Sequence, residues 1–117
     1  MSRLARLLAV AVLALSPSTA AAHSLLIASV PAAETVVTDP TAVSLRFNNR
    51  IEKKLSQLRL VPARGDAQVL ALRAEGAVDT LEAALPRLAA GRYRIEWRVL
   101  STDGHVVSGA FGFSVSP

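Results

Sequence analysis

An all-β sandwich of about seven strands is the fold that this sequence predicts, on three observations. From Tyr93 to Val99, apolar Tyr93, Ile95, Trp97 and Val99 alternate with Arg94, Glu96 and Arg98, the period of two that marks a half-buried strand. Val43, Leu45 and Phe47 alternate in the same way with Ser44, Arg46 and Asn48, and Phe111, Phe113 and Val115 with Gly112, Ser114 and Ser116. Turn signals break the rest into short pieces, at Pro31, Asp39-Pro40, Arg64-Gly65-Asp66, Glu75-Gly76 and Ala90-Gly91. Close, even spacing of short strands is the pattern of a sandwich or barrel.

The remaining strands are expected at Leu25 to Val30, Gln57 to Val61, Gln68 to Arg73 and Thr80 to Ala84. The alanines between Leu81 and Ala90 also permit a helical turn, which Pro86 would limit. An immunoglobulin-like arrangement fits, with Trp97 in the core and Tyr93, soon after Gly91, where a tyrosine corner would sit. Apolar positions on each strand predict that Trp97, Phe111 and Phe113 serve packing, and that Arg92, Arg94 and Arg98 form a solvated outer face.

The first 22 residues read as a cleavable export signal. MSRLAR supplies two arginines, LLAVAVLALS an apolar run, and PSTAAA the small residues of a cleavage region. The apolar run falls well short of the roughly 20 residues that span a bilayer, so a membrane anchor is disfavoured. Ala20 and Ala22 suit a cut that would make His23 the first residue; Ser18 with Ala20, or Thr19 with Ala21, also meets the small-residue rule. The expected organisation is a signal peptide at 1–22 and one exported domain at 23–117, with no stable membrane insertion of the mature chain.

Thirteen basic residues less Arg3 and Arg6 leave eleven against nine acidic ones, a mature formal charge of +2. The basic residues are scattered and few aromatics accompany them, which argues against a nucleic-acid surface. With no cysteine there is neither a disulfide framework nor a thiolate metal site. A metal would have to be held by nitrogen and oxygen, and the chain has two histidines.

Asp103-Gly104-His105 follows the strongest strand directly. In extended backbone, residues i and i+2 project to one face, so a carboxylate and an imidazole would converge, and Gly104 would let the backbone bend or a ligand approach. Asp-x-His alone is more often a turn with a solvated histidine. His23 raises its significance, because cleavage before it would give one residue both a free α-amine and a ring nitrogen. Both groups lose their protons readily near neutral pH when a metal competes for the lone pairs. With the His105 imidazole that makes three nitrogens, and Asp103 offers an oxygen. Nitrogen and oxygen donors in a tetragonal arrangement suit Cu(II), which leads the divalent affinity order, although zinc and nickel are also chemically compatible.

These residues resemble the CopC copper-resistance proteins of the bacterial periplasm, over nearly the whole mature chain. The likeness lies in His23-Ser24-Leu25-Leu26 with Ser29-Val30-Pro31-Ala32, in Val43-Ser44-Leu45-Arg46-Phe47, and in Leu88-Ala89-Ala90-Gly91-Arg92-Tyr93-Arg94-Ile95-Glu96-Trp97. The most specific part is Ser101-Thr102-Asp103-Gly104-His105 with Gly109 and Phe113, similar to the family's S-x-D-x-H-x-x-x-G-x-x-x-F. The resemblance implies a CopC-type β-sandwich. It also implies a non-enzymatic Cu(II) carrier whose brace is made by the amine and imidazole of His23 and the imidazole of His105, with Asp103 close by. A separate CopD-like inner-membrane transporter is the implied partner. Many members carry an acidic residue where this chain has Asn49, so that carboxylate is missing here, and Glu52 is not expected to replace it. Some members bind Cu(I) through a methionine-rich loop; the single methionine here is Met1, in the predicted leader. Two rival readings are a copper-dependent oxidative enzyme of the polysaccharide monooxygenase kind and a metal-free immunoglobulin-like binding module.

Overall fold

A computed structural model describes residues 25–117; His23 and the predicted leader lie outside the described residues. Among the described residues, eight strands form two sheets: β1 (Leu26–Val30), β2 (Val36–Val37), β3 (Ala42–Phe47), β4 (Gln57–Pro62), β5 (Gln68–Leu70), β6 (Thr80–Ala84), β7 (Gly91–Leu100) and β8 (Val106–Val115). One sheet runs β1-β3-β6 and the other β2-β8-β7-β4-β5. The described residues contain no α-helix, only a 3-10 turn at Lys53–Leu55. The Leu81 to Ala90 segment therefore resolves as β6 followed by irregular chain, and its register against β3 pairs Leu81 with Leu45 and Ala83 with Val43.

Alternation decides which side of each strand is buried. Val43, Leu45 and Phe47 of β3 and Ile95, Trp97 and Val99 of β7 face the interior, joined by Leu58 and Leu60 of β4, Leu81 of β6 and Phe113 and Val115 of β8. Trp97 meets Phe47 of the opposite sheet edge to face, with ring centroids 5.2 Å apart, an arrangement that adds roughly 0.5–1.5 kcal/mol beyond area burial. Tyr93 lies over Phe113 at 5.8 Å and its hydroxyl donates to the Ala89 carbonyl at 2.7 Å, the tyrosine-corner contact expected from its place after Gly91. The outer arginines are solvated and paired: Arg92 with Glu34, and Arg59 and Arg94 with Glu96.

Three elements differ from the sequence expectation. The strand expected over Gln68 to Arg73 ends at Leu70, and Leu72 makes only an isolated bridge to Ala83. β2 has two residues, too few for any periodicity, and exists because it pairs in parallel with Ser114 and Val115. β8 begins at Val106 rather than Phe111, since its first half is extended by continuous pairing with β7. Ser108, Gly109 and Ala110 give that half no hydrophobic alternation to read.

Gly109 is required by packing. A Cβ built on it would sit 2.3 Å from the Trp97 ring, which covers it from the adjacent strand. Gly109→Ala is therefore expected to destabilise the domain by about 1–3 kcal/mol through overpacking, measured as a lower urea midpoint with Trp97 emission as the probe. An unchanged midpoint would show that the indole can move aside.

Candidate metal-binding loop

β7 and β8 are joined by a tight connection that carries Asp103 and His105. The backbone N–H of Ser101 donates to the His105 carbonyl at 3.0 Å, closing a loop of Thr102, Asp103 and Gly104. Gly104 N–H returns to the Ser101 carbonyl at 2.9 Å, and Gly104 takes φ +91°, a region that a side chain would strain. This is the three-residue hairpin pattern, a turn followed by a left-handed residue. The loop rather than extended backbone thus brings the two side chains together.

Asp103 Oδ1 is the centre of the arrangement. It accepts the His105 backbone N–H at 3.1 Å, lies 3.2 Å from His105 Nδ1, and accepts the Ser101 hydroxyl in a short hydrogen bond. The Ser101 hydroxyl, more than any other group, holds the Asp103 carboxyl down at about 2 instead of the usual 3.8; the His105 backbone N–H and imidazole add to this, against a small desolvation. Ser101 is 1% exposed, while the side chains of His105 and Asp103 are 53% and 37% open to water. The sequence reading missed Ser101, although it stands first in the Ser-x-Asp-x-His spacing.

The loop is tied to the segment after β3. Ser101 bridges Ile51, and Thr102 N–H points to the Arg50 carbonyl at 3.4 Å. Three residues earlier in that segment, Asn48 holds the start of β1: Leu25 N–H donates to Asn48 Oδ1 at 2.7 Å and Asn48 N–H to the Leu25 carbonyl at 3.0 Å. Asn49 accepts the Arg50 N–H with its side-chain oxygen and brings no carboxylate. Among the described residues no group of three or more His, Asp, Glu or Cys side chains is assembled to hold a metal. Asp103 and His105 are a pair that needs further donors.

A CopC domain model matches residues 26–116. The chain belongs to the CopC family. It is 33% identical over 105 residues to copper resistance protein C of Escherichia coli, covering 82% of this chain and 83% of that one. The crystal structure of CopC from Methylosinus trichosporium OB3b superposes with a TM-score of 0.74 at 32% identity, covering 81% of this chain and 95% of that one. Copper transport protein CutJ of Bacillus subtilis is 30% identical over 85% of this chain, a match that spans 19% of CutJ. Sequence similar to this chain thus occurs both in a protein of similar length and in part of a much longer one. No helix among the described residues is long and apolar enough to cross a membrane.

The depressed Asp103 carboxyl sets an acid-side expectation. A carboxylate whose folded pKa lies below its unfolded value stabilises the fold fully above the unfolded value, and that contribution is lost as pH falls through the folded one. In the metal-free protein the loop contribution of Asp103 should therefore persist to below pH 3.8 and disappear near pH 2. Carboxyl-carbon NMR titration should place Asp103 near 2, and a value near 3.8 would contradict the loop geometry.

Proposed function

We propose that this protein is a periplasmic copper carrier that holds Cu(II) through the α-amine and imidazole of His23, exposed by cleavage of the 1–22 leader, together with His105 and Asp103. It binds and transfers the ion without turning over a substrate, serves copper resistance or homeostasis, and hands copper to a CopD-like membrane transporter in a separate chain. The observation that carries the reading is the Asp103–His105 pair, poised and open to water on a turn that the Ser101 hydroxyl rigidifies. The tether from Leu25 to Asn48, and from Arg50 to Thr102, supports it, because it ties the segment that follows His23 and the loop to the same short stretch of chain.

The donor chemistry agrees. An amine, two imidazoles and a carboxylate are nitrogen and oxygen ligands that favour Cu(II), and an anionic oxygen near the metal stabilises the oxidised over the reduced ion. Transfer to a membrane protein is supported by family membership and by CutJ, a copper transport protein in which a segment resembling this chain is about a fifth of the length.

Titration of the mature protein with Cu(II) tests the reading, with Trp97 emission as the reporter and intact mass establishing that His23 is first. A saturable quench at one equivalent is expected. Retaining one extra alanine ahead of His23 should remove the amine-imidazole chelate and weaken binding by at least about 100-fold while circular dichroism still reports the sandwich. His105→Ala should weaken it with the terminus intact. Unchanged Cu(II) affinity in both variants would refute the assignment.

A further inference from the structure

We infer that the first half of β8 is a docking edge for a second copy of this chain: two protomers pair their 106–110 segments antiparallel about Ser108 and join their five-stranded sheets into one. The inference concerns backbone groups on a strand edge and does not depend on copper.

Backbone direction along β8 follows from the turn. The Ser101 N–H donates to the His105 carbonyl, which makes these two a hydrogen-bonded pair, and every second pair down the ladder repeats it: Val99 with Val107, Trp97 with Gly109, Ile95 with Phe111. Val106, Ser108 and Ala110 therefore turn their N–H and C=O groups away from β7. Further along the same edge the outward groups are used: the Gly112 carbonyl accepts the Glu34 N–H at 2.7 Å, and the Ser114 N–H donates to the Thr35 carbonyl at 2.9 Å. β2 pairs only with Ser114 and Val115. Among the described residues nothing takes the outward groups of Val106, Ser108 and Ala110.

The other edges carry protection that this one lacks. β1 is interrupted by a bulge between Leu26 and Ala28 and is followed by Pro31, and β5 has three residues. β6 is covered, since the Arg73 N–H donates to the Glu82 carbonyl at 2.8 Å and Leu72 bridges Ala83. Bulges, short strands, cover, charge and proline are the devices that keep strand edges from pairing. From Val106 to Ser116 there is neither a charge nor a proline. Val106 is 54% exposed, and Ser108 and Ala110 are exposed and small. A second copy fits this edge because it presents the same uncharged one. About a two-fold axis at Ser108, Val106 faces the partner's Ala110 and Ser108 faces the partner's Ser108, and each such pair exchanges two hydrogen bonds. Arg98 pairs with Ser108 from β7, so the two Arg98 residues stand three strand spacings apart, about 14 Å, and are screened from each other.

The test is sedimentation equilibrium of the mature protein in the presence of a chelator, at loading concentrations from about 1 μM to 1 mM. A reversible monomer–dimer equilibrium is expected. Ser108→Pro deletes the outward N–H of each copy, and with it the two central bonds, without touching the pairing to β7; association should weaken at least about 10-fold. Ser108→Lys sets like charges face to face on the axis and should do the same, so a proline variant that fails to fold does not decide the matter. The chain has no cysteine, so a single introduced thiol can form a disulfide only between copies. Ser108→Cys should cross-link on mild oxidation, because directly opposed residues of this type lie within disulfide reach, whereas Ala74→Cys, exposed but off this edge, should not. A protein that stays monomeric to about 1 mM, a dimer that keeps its affinity in folded Ser108→Pro and Ser108→Lys, or a dimer that forms only when Cu(II) replaces the chelator would overturn the inference.

Discussion

The ten-pair ladder between β7 and β8 is the constraint on which the rest of this structure depends. It runs without a break from Gly91 against Val115 to Leu100 against Val106, and one further pair, Ser101 with His105, closes it. One end carries the tyrosine corner and the parallel β2 strand, the middle carries Trp97 across the core, and the other end is the Asp103 loop. A slip of one residue would turn Ile95, Trp97 and Val99 to solvent and send arginines inward. The core therefore enforces the register, and the register determines which residues form the turn. In this way a hydrophobic pattern some way from the loop dictates that Asp103 and His105 stand two apart across a left-handed glycine.

Rigidity and openness are divided between neighbouring residues. Ser101 belongs to the core and is satisfied by backbone and side-chain hydrogen bonds, while the two residues with metal-binding chemistry sit beyond it, facing water. A fully buried pair would have suffered desolvation and lost access to an incoming ion, and a loop without an anchor would have to be ordered on binding. The Ser101 hydroxyl and the His105 backbone N–H donate to one carboxylate oxygen and favour ionised Asp103, with His105 Nδ1 3.2 Å from the same oxygen.

Membership of the CopC family and the absence of sulfur donors narrow the chemistry together. The family relation carries the association with copper resistance, and the composition of the described domain leaves nitrogen and oxygen ligands. Asn49 removes one carboxylate from the neighbourhood and spends its side-chain oxygen on its own backbone. The segment from Asn48 to Ile51 serves instead as a brace of backbone and amide groups between β1 and the loop. Its contribution is positional: the Asn48 side chain and backbone both hold Leu25.

Period-two alternation was enough to determine the all-β class, the inward faces of β3 and β7, the core place of Trp97 and the tyrosine corner, because each is a local consequence of side-chain direction in extended chain. The Asp-Gly-His spacing likewise singled out the loop. Tertiary pairing alone decided the rest. β2 and the first half of β8 have no alternation of their own and are strands because β8 and β7 hydrogen-bond to them. Extended geometry seemed to bring Asp103 and His105 together, whereas a closed hairpin turn does so, and a serine reads as a surface residue until its burial is known. A hydroxyl has no hydrophobic signature, and its partners depend on which backbone groups the ladder has already used; that information exists only once the two strands are in register.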